Sequence, residues 1–328
     1  MPKKQQMVQG KAFEYACFSA LKSRLEGDGV LVSVIDNRAY KTACKAFRSL
    51  LPEEKELHMN AAVAAVRMIL PLEPRLEHSV GEQTLFLSIS ADALGKGVGG
   101  DVRDIVCLRQ PSGWEIGFSC KHNHQALRHP RITEAKDFGT AWLGYPCGRS
   151  FLDKMNNILK PLDELQRQGK SWKDIPDKKE LFYKPVLVEL IKEIKRLCGV
   201  HKDVPEKLLV YFFGSKDFYK IISLERDEQT KVVAFNINGT LNQAAGDHKA
   251  RYKVRKIKYP TRLVDVDFKK QNERVSDTTI SIIFDGGWQI DMRLHNADSK
   301  VKATGLKFDV QLAGQPNDVY QQQRSWNE

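Results

Sequence analysis

The chain has 328 residues, 41% of them apolar and 28% charged, the proportions of a globular protein large enough for one large domain or two modest ones. Lys and Arg number 52 against 41 Asp and Glu, a formal charge of +11, which favours a polyanionic partner bound fast and in a salt-sensitive way. The polar start MPKKQQMVQG, an apolar run broken by Arg67 and Pro71, and six scattered cysteines argue against a secreted, disulfide-built or membrane protein and for a reducing cytoplasm.

In chain order, residues 11–25 set Phe13, Ala16, Cys17, Ala20 and Leu21 on one helical stripe, stopped by Gly27-Asp28-Gly29. At a hundred degrees per residue, Glu14 projects between Leu21 and Leu25, on the apolar face. It is either an edge carboxylate reaching out to water or pairing with a lysine, or a functional group. A second helix is expected over residues 61–70, ended by Pro71 and Pro74. From Thr84 the pattern changes to short apolar runs, LFLSI, DIVCLR and WEIGFSCK, separated by GKGVGG and QPSG, which reads as strands joined by tight turns.

Helical periodicity resumes after Thr133 and is clear over 156–168 and 186–197, whereas LLVYFFG near Leu208 reads as a buried strand. Beyond Phe235, TTISIIF, GWQIDMRLH and GLKFDVQL alternate like strands, through to a polar tail, QQQRSWNE. The expected fold is α/β, a mixed sheet flanked by helices, with residues 1–235 as a core and 236–328 as a β-rich region. No linker marks the division, so the two parts could share one core.

The chemistry concentrates in GGDVRDIVCLRQPSGWEIGFSCKHNH, where an acidic cluster opens one strand and a lysine closes the next across a turn at residues 111–113. Phosphodiester hydrolysis needs a hard cation on carboxylates, a positioned water and a positive group for the charge developing at phosphorus. Asp104 and Lys121 meet that need if the hairpin sets them side by side. Alternation places Trp114, Ile116, Phe118 and Cys120 on one face and Glu115, Gly117, Ser119 and Lys121 on the other. Ser119 thus neighbours Lys121, and Glu115, six residues off, is too distant to share its metal. Either Asp101 or Asp104 could lie opposite Lys121, depending on register.

His122, Asn123 and His124 alternate faces in an extended segment and cannot form a three-ligand zinc site. With Arg128, His129 and Arg131 they are candidates for DNA contact near the cut phosphate, or else solvated. Lys249, Arg251, Lys253 and Arg255 alternate strictly and are followed by Lys256, Lys258 and Arg262 with no acid between. That is a cationic strand face for phosphates, or a lysine-protected edge strand. Arg293, His295, Asn296, Ser299 and Lys300 follow a strand and carry the donors that read guanine and adenine edges, Arg293 being suited to guanine; a polar loop is the plain alternative.

The Asp104…Ser119-Cys120-Lys121 arrangement resembles the PD-(D/E)xK nuclease pattern with its second acid replaced by serine. The runs GDVRDIVCLR, WEIGFSCKHNH, ITEAKDFG, FNINGTLNQ and WQIDMRLHNADSKV, in this order, resemble the HaeIII family of type II restriction endonucleases over residues 10–316. The resemblance favours Asp104 over Asp101, since it directly precedes the apolar run, as the family aspartate does. It implies that the missing acid is recovered from the next helix, where Glu134 follows Lys121 after twelve residues, and that Glu14 also approaches the metal. It further implies magnesium-dependent cleavage of double-stranded DNA at GGCC with blunt ends and a companion cytosine methyltransferase. A two-fold target favours a homodimer. The rivals are a structure- or damage-specific nuclease of the same fold and a DNA-binding protein that does not cut.

Overall fold

The computed structural model describes residues 3–81, 84–90, 100–123, 127, 129–132 and 136–327. Helix α1 (Lys3–Gly27) buries Phe13, Ala16, Cys17, Leu21 and Leu25, the stripe expected from spacing. Helix α2 (Arg38–Arg48) starts at Asn37, whose side chain caps it by accepting from the Tyr40 N–H at 2.8 Å. Helix α3 (Pro52–Ile69) begins well before the expected residue 61, with proline in its first turn and Glu54 accepting from the Leu51 N–H.

These helices cover one face of a seven-stranded sheet of order β1-β2-β3-β4-β5-β6-β11. Its strands are β1 (Leu31–Val34), β2 (Thr84–Ile89), β3 (Ile105–Arg109), β4 (Trp114–His122), β5 (Phe218–Leu224), β6 (Gln229–Phe235) and β11 (Gln321–Ser325). β1 with β2 and β4 with β5 are parallel, and the other pairs are antiparallel. Leu85, Leu87, Ile105, Ile116, Phe118, Cys120 and Ile221 pack on the three helices as one core.

The opposite face carries α4 (Arg149–Leu159), α5 (Pro161–Arg167), α6 (Lys184–Val200), α7 (Val204–Phe213) and an antiparallel sheet of order β10-β9-β8-β7. That sheet consists of β7 (Leu263–Gln271), β8 (Arg274–Phe284), β9 (Gln289–Asn296) and β10 (Leu306–Gly314). Its inner residues Ile280, Ile282, Ile290, Met292 and Phe308 join Leu187 and Ile194 of α6 and Val233 and Phe235 of β6 in a second core. The result is the expected mixed α/β fold with a β-rich C-terminal part. Among the described residues no helix is long and apolar enough to cross a membrane.

Four expectations are corrected. LLVYFFG is helix α7, entered through Pro205 and ended at Gly214, with Leu208, Leu209, Phe212 and Phe213 buried; an apolar run buried on all sides has no periodicity to separate helix from strand. The stretch 156–168 is two helices parted at Pro161, where the ring cannot continue the ladder. The polar tail is edge strand β11 against β6, anchored by Trp326 Nε1 donating to Thr230 Oγ1 at 2.9 Å; polar side chains suit an edge that faces water. Residues 249–262 form no strand. They are an irregular strap held by backbone bonds at Arg251, Val254 and Ile257, with Val254 and Ile257 buried.

Candidate active site

The β3–β4 hairpin decides the geometry. Ile105 pairs with Phe118, and the Asp104 N–H continues the ladder by donating to the Phe118 carbonyl at 2.8 Å. This register puts the Asp104 carboxylate over the end of β4. Its Oδ2 accepts from the Cys120 N–H at 2.7 Å, from Ser119 Oγ at 3.4 Å and from Lys121 Nζ at 3.4 Å. No described residue bonds its Oδ1. Cys120 points into the helical core while Ser119 and Lys121 lie on the other face, as alternation requires.

Helix α1 carries Glu14, another candidate carboxylate among the described residues. Glu14 is 6% exposed and lies 3.0 Å from Lys11 one turn earlier, so it makes the lysine pair that the plain reading foresaw. It also sits within the field of Lys121. Burial works against the charge of Lys121, and Asp104, with Glu14 contributing, outweighs it, so the lysine's pKa lies above its ordinary value. Among the described residues no group of three or more His, Cys, Asp or Glu could hold a metal. Glu134, His124 and Arg128 lie outside the described residues.

Asp101 turns elsewhere. It takes the Arg103 guanidinium in a two-pronged pair, with Arg103 Nη2 2.7 Å from Oδ2 and Nε 2.9 Å from Oδ1. Arg103 also reaches Glu115 at 3.3 Å, and Glu115 reaches Lys216 at 2.9 Å. Burial raises the Asp101 pKa and the Arg103 bonds outweigh it, holding it below the usual carboxylate value.

Past Lys121 the chain divides its polar residues between structure and surface. Asn123 has φ +57°, a left-handed conformation that asparagine tolerates. It clasps the turn after β5 by donating to Glu225 Oε2 at 2.8 Å and accepting from the Glu225 N–H at 2.9 Å. His122 lies 3.3 Å from the same carboxylate and edge-on to His58 at 4.6 Å between ring centroids. Burial lowers the pKa of His122, with Glu225 opposing. His58 continues into Gln9 at 2.6 Å, and Gln9 donates to Glu54 at 2.8 Å. Sequence reasoning missed this buried chain behind Lys121. Its signal was available: His58 shares the helical stripe of Ala62 and Ala65, four and seven residues on.

The segment then crosses to the second sheet. The Leu127 N–H donates to Val310 and the Phe308 N–H to Pro130, both at 2.8 Å, and Arg131 bridges to Lys307. His129 lies 3.5 Å from Asp309, which also holds Arg293 at 3.1 Å. Asp309 was also missed, and nothing local marks it. Burial chiefly lowers the pKa of His129, with the charge of Lys307 adding to the effect and Asp309 opposing it. Arg293 is exposed.

In the remainder of that candidate set, His295 and Asn296 make local contacts, while Ser299 and Lys300 are held through the backbone with their side chains exposed. Asn296 accepts from Tyr183 Oη at 3.2 Å and donates to the Asp298 carbonyl at 2.8 Å. His295 Nδ1 lies 3.1 Å from the Asn296 carbonyl, and burial lowers its pKa. The Ser299 carbonyl accepts from Ser171 and Trp172, and Lys300 bridges to Ser171. In the strap, Lys249, Arg251, Lys253, Arg255, Lys256, Lys258 and Arg262 are all exposed.

No solved structure matches the chain. The "Type II restriction enzyme HaeIII" of Haemophilus aegyptius is 34% identical over 320 residues, covering 97% of this chain and 98% of that protein. The sequence model of the HaeIII restriction endonuclease family matches residues 10–316. The chain therefore belongs to the HaeIII restriction endonuclease family and is a type II restriction endonuclease.

Proposed function

We propose that the chain hydrolyses double-stranded DNA with magnesium, at a centre built on Asp104 and Lys121. What carries the reading is one oxygen, Asp104 Oδ2, bonded to Lys121 Nζ, Ser119 Oγ and the Cys120 N–H. The hairpin itself thus aims a carboxylate and an ammonium group at one point. Asp104, with Glu14 and Glu134, is assigned the metal; an oxygen-donor set of few carboxylates suits magnesium, which keeps several of its waters. Asp101 is the weaker candidate, because Arg103 already takes both its oxygens.

Magnesium, when bound, supplies Lewis-acid stabilisation and acidifies a bound water. Lys121 orients the attacking water and stabilises the negative charge growing on the phosphoryl oxygens, in a site dry enough to strengthen that interaction. Ser119 fixes the carboxylate's orientation. The water oxygen bonds to phosphorus, the bond to the leaving oxygen breaks, and the water's proton balances the leaving oxygen.

Residues 1–235 are assigned the chemistry and residues 236–328 the reading of the target. His122, Asn123, His124, Arg128 and Arg131 lie on the segment leading from the centre, and Lys249, Arg251, Lys253 and Arg255 supply phosphate contacts. Arg293, with His295, Asn296, Ser299 and Lys300, is assigned base recognition; among these Arg293 is exposed and oriented by Asp309, as a guanine reader requires. The proposed target is GGCC cut to blunt ends in the cytoplasm, by a homodimer matched to the two-fold site, with a cytosine methyltransferase protecting host DNA.

The test is plasmid DNA incubated with purified protein, with magnesium or with chelator, followed by sequencing of fragment ends. Discrete magnesium-dependent fragments with blunt ends inside GGCC are expected. Ends at scattered sequences, or intact plasmid throughout, overturn the proposal.

A further inference from the structure

Lys220 is 3% exposed and stands beside Ser119 in the parallel pairing of β5 with β4. Partners in register point to the same face, so Lys220 shares the face of Ser119 and Lys121 from one strand away, about 4.8 Å. On the next strand Lys231 pairs with Ile222, which places it on that face as well. Between this face and the end of β10 is a cavity of about 270 Å³, lined by Lys220, Lys231, Gln315 and Gln321 over Ile222 and Val233.

Burying an ammonium group costs solvation that an apolar residue of similar size would not lose. Burial first, then the nearby charges of Lys121 and Lys231, brings Lys220 down to about 7. A cavity that gathers two ammonium groups and two carboxamides presents donors to an anion. It lies one to two strand spacings from Lys121, a distance comparable with that between successive phosphates of one DNA strand.

We propose that this cavity holds a backbone phosphate of the bound DNA next to the one being cut, with Lys220 and Lys231 as its cationic contacts. The assignment rests on the reading of Asp104 and Lys121 as the cleavage centre.

The experiment measures binding of a duplex oligonucleotide containing the cleaved site, in chelator and across salt concentrations, for wild type, Lys220→Met and Lys231→Ala. Each variant is expected to bind more weakly with a shallower log–log salt slope, and the double variant Lys220→Met/Lys231→Ala to lose about 0.9 of that slope, one phosphate contact. A duplex carrying a neutral methylphosphonate beside the cut position should cost the wild type the same slope as the double substitution and cost the double variant nothing more.

A lower melting temperature with an unchanged slope makes Lys220 structural and overturns the proposal. Stabilisation of the wild type by inorganic phosphate, with the methylphosphonate duplex bound normally, makes the cavity a free-anion site and also overturns it. If Lys220→Met does not fold, the slope of the half-buried Lys231→Ala decides. Cleavage by Lys121→Ala tests the underlying reading separately: a variant that still cuts removes the catalytic assignment whatever the cavity slopes do.

Discussion

At position 117 a side chain of even one carbon meets Arg103. A Cβ there would lie 2.2 Å from Arg103 Cδ and 2.8 Å from its Cβ, within the rigid part of the arginine stem. The missing side chain is what lets Arg103 cross β4 and join Asp101 to Glu115. Gly117→Ala is expected to lower stability by about 1–3 kcal/mol, the usual cost of overpacking, read as a lower midpoint in urea with an unchanged slope; an unaltered midpoint would refute the packing argument. At this scale, the shared face of Ser119 and Lys121 was legible, because alternation fixes which residues of one strand share a face, whereas Asp104 was preferred to Asp101 only through the family resemblance. Arg103 was not, because nothing local says that it folds back over Gly117.

Among the elements, the basic strap shows charge pattern and backbone parting company. Strict alternation of Lys249, Arg251, Lys253 and Arg255 reads as a strand, yet buried Val254 and Ile257 and the bonds from Asn236 and Asn242 pin the segment as an irregular surface loop. All its cations face water, so their replacement should cost little stability. Replacing Arg251, Lys253 and Arg255 together by Ala is expected to leave the melting temperature close to wild type and to flatten the salt dependence of DNA binding by about 0.9 per phosphate lost. A wild-type salt slope would show that the strap is merely solvated. The Pro161 break belongs to the same scale: the proline was visible, but periodicity on both sides masked its effect.

Across the whole molecule, two buried titratable groups set opposing pH dependences. Glu73 is 0% exposed, accepts from Tyr219 Oη and from the Asn242 N–H at 2.6 Å each, and is pushed by burial from 4.5 up to about 7, with its hydrogen bonds opposing. The folded state therefore holds a proton that the unfolded state has lost between those values, and stability falls as pH rises through that window. His58 is lowered by burial and by His122 from 6.5 to about 4. Here the unfolded state takes the proton first, so stability rises with pH over about the same range. The two slopes largely offset. Glu73→Gln should expose the His58 slope, with stability rising from pH 4 to 6.5. It should also gain at pH 8 part of the roughly 3 kcal/mol that a shift of this size represents at about 1.4 kcal/mol per unit, the buried amide taking some of it back. Urea unfolding across pH is the measurement, and a variant that keeps the wild-type profile rules the mechanism out.

The sequence by itself determined helix α1, the strands β2, β3, β4, β8, β9 and β10, the face carrying Ser119 and Lys121, and the nuclease family. Side-chain periodicity follows from backbone geometry and needs no distant partner, and motif spacing travels with the chain. Only the tertiary structure decided that LLVYFFG is a helix and the tail a strand, that Asp101 serves Arg103, and that Asp309 joins His129 to Arg293. It alone brought Lys220 beside Ser119, 101 positions away in the chain. Each of these depends on which buried surfaces and open sheet edges remain when the rest of the chain has folded, and that selection is made by packing between distant segments, which local spacing does not encode.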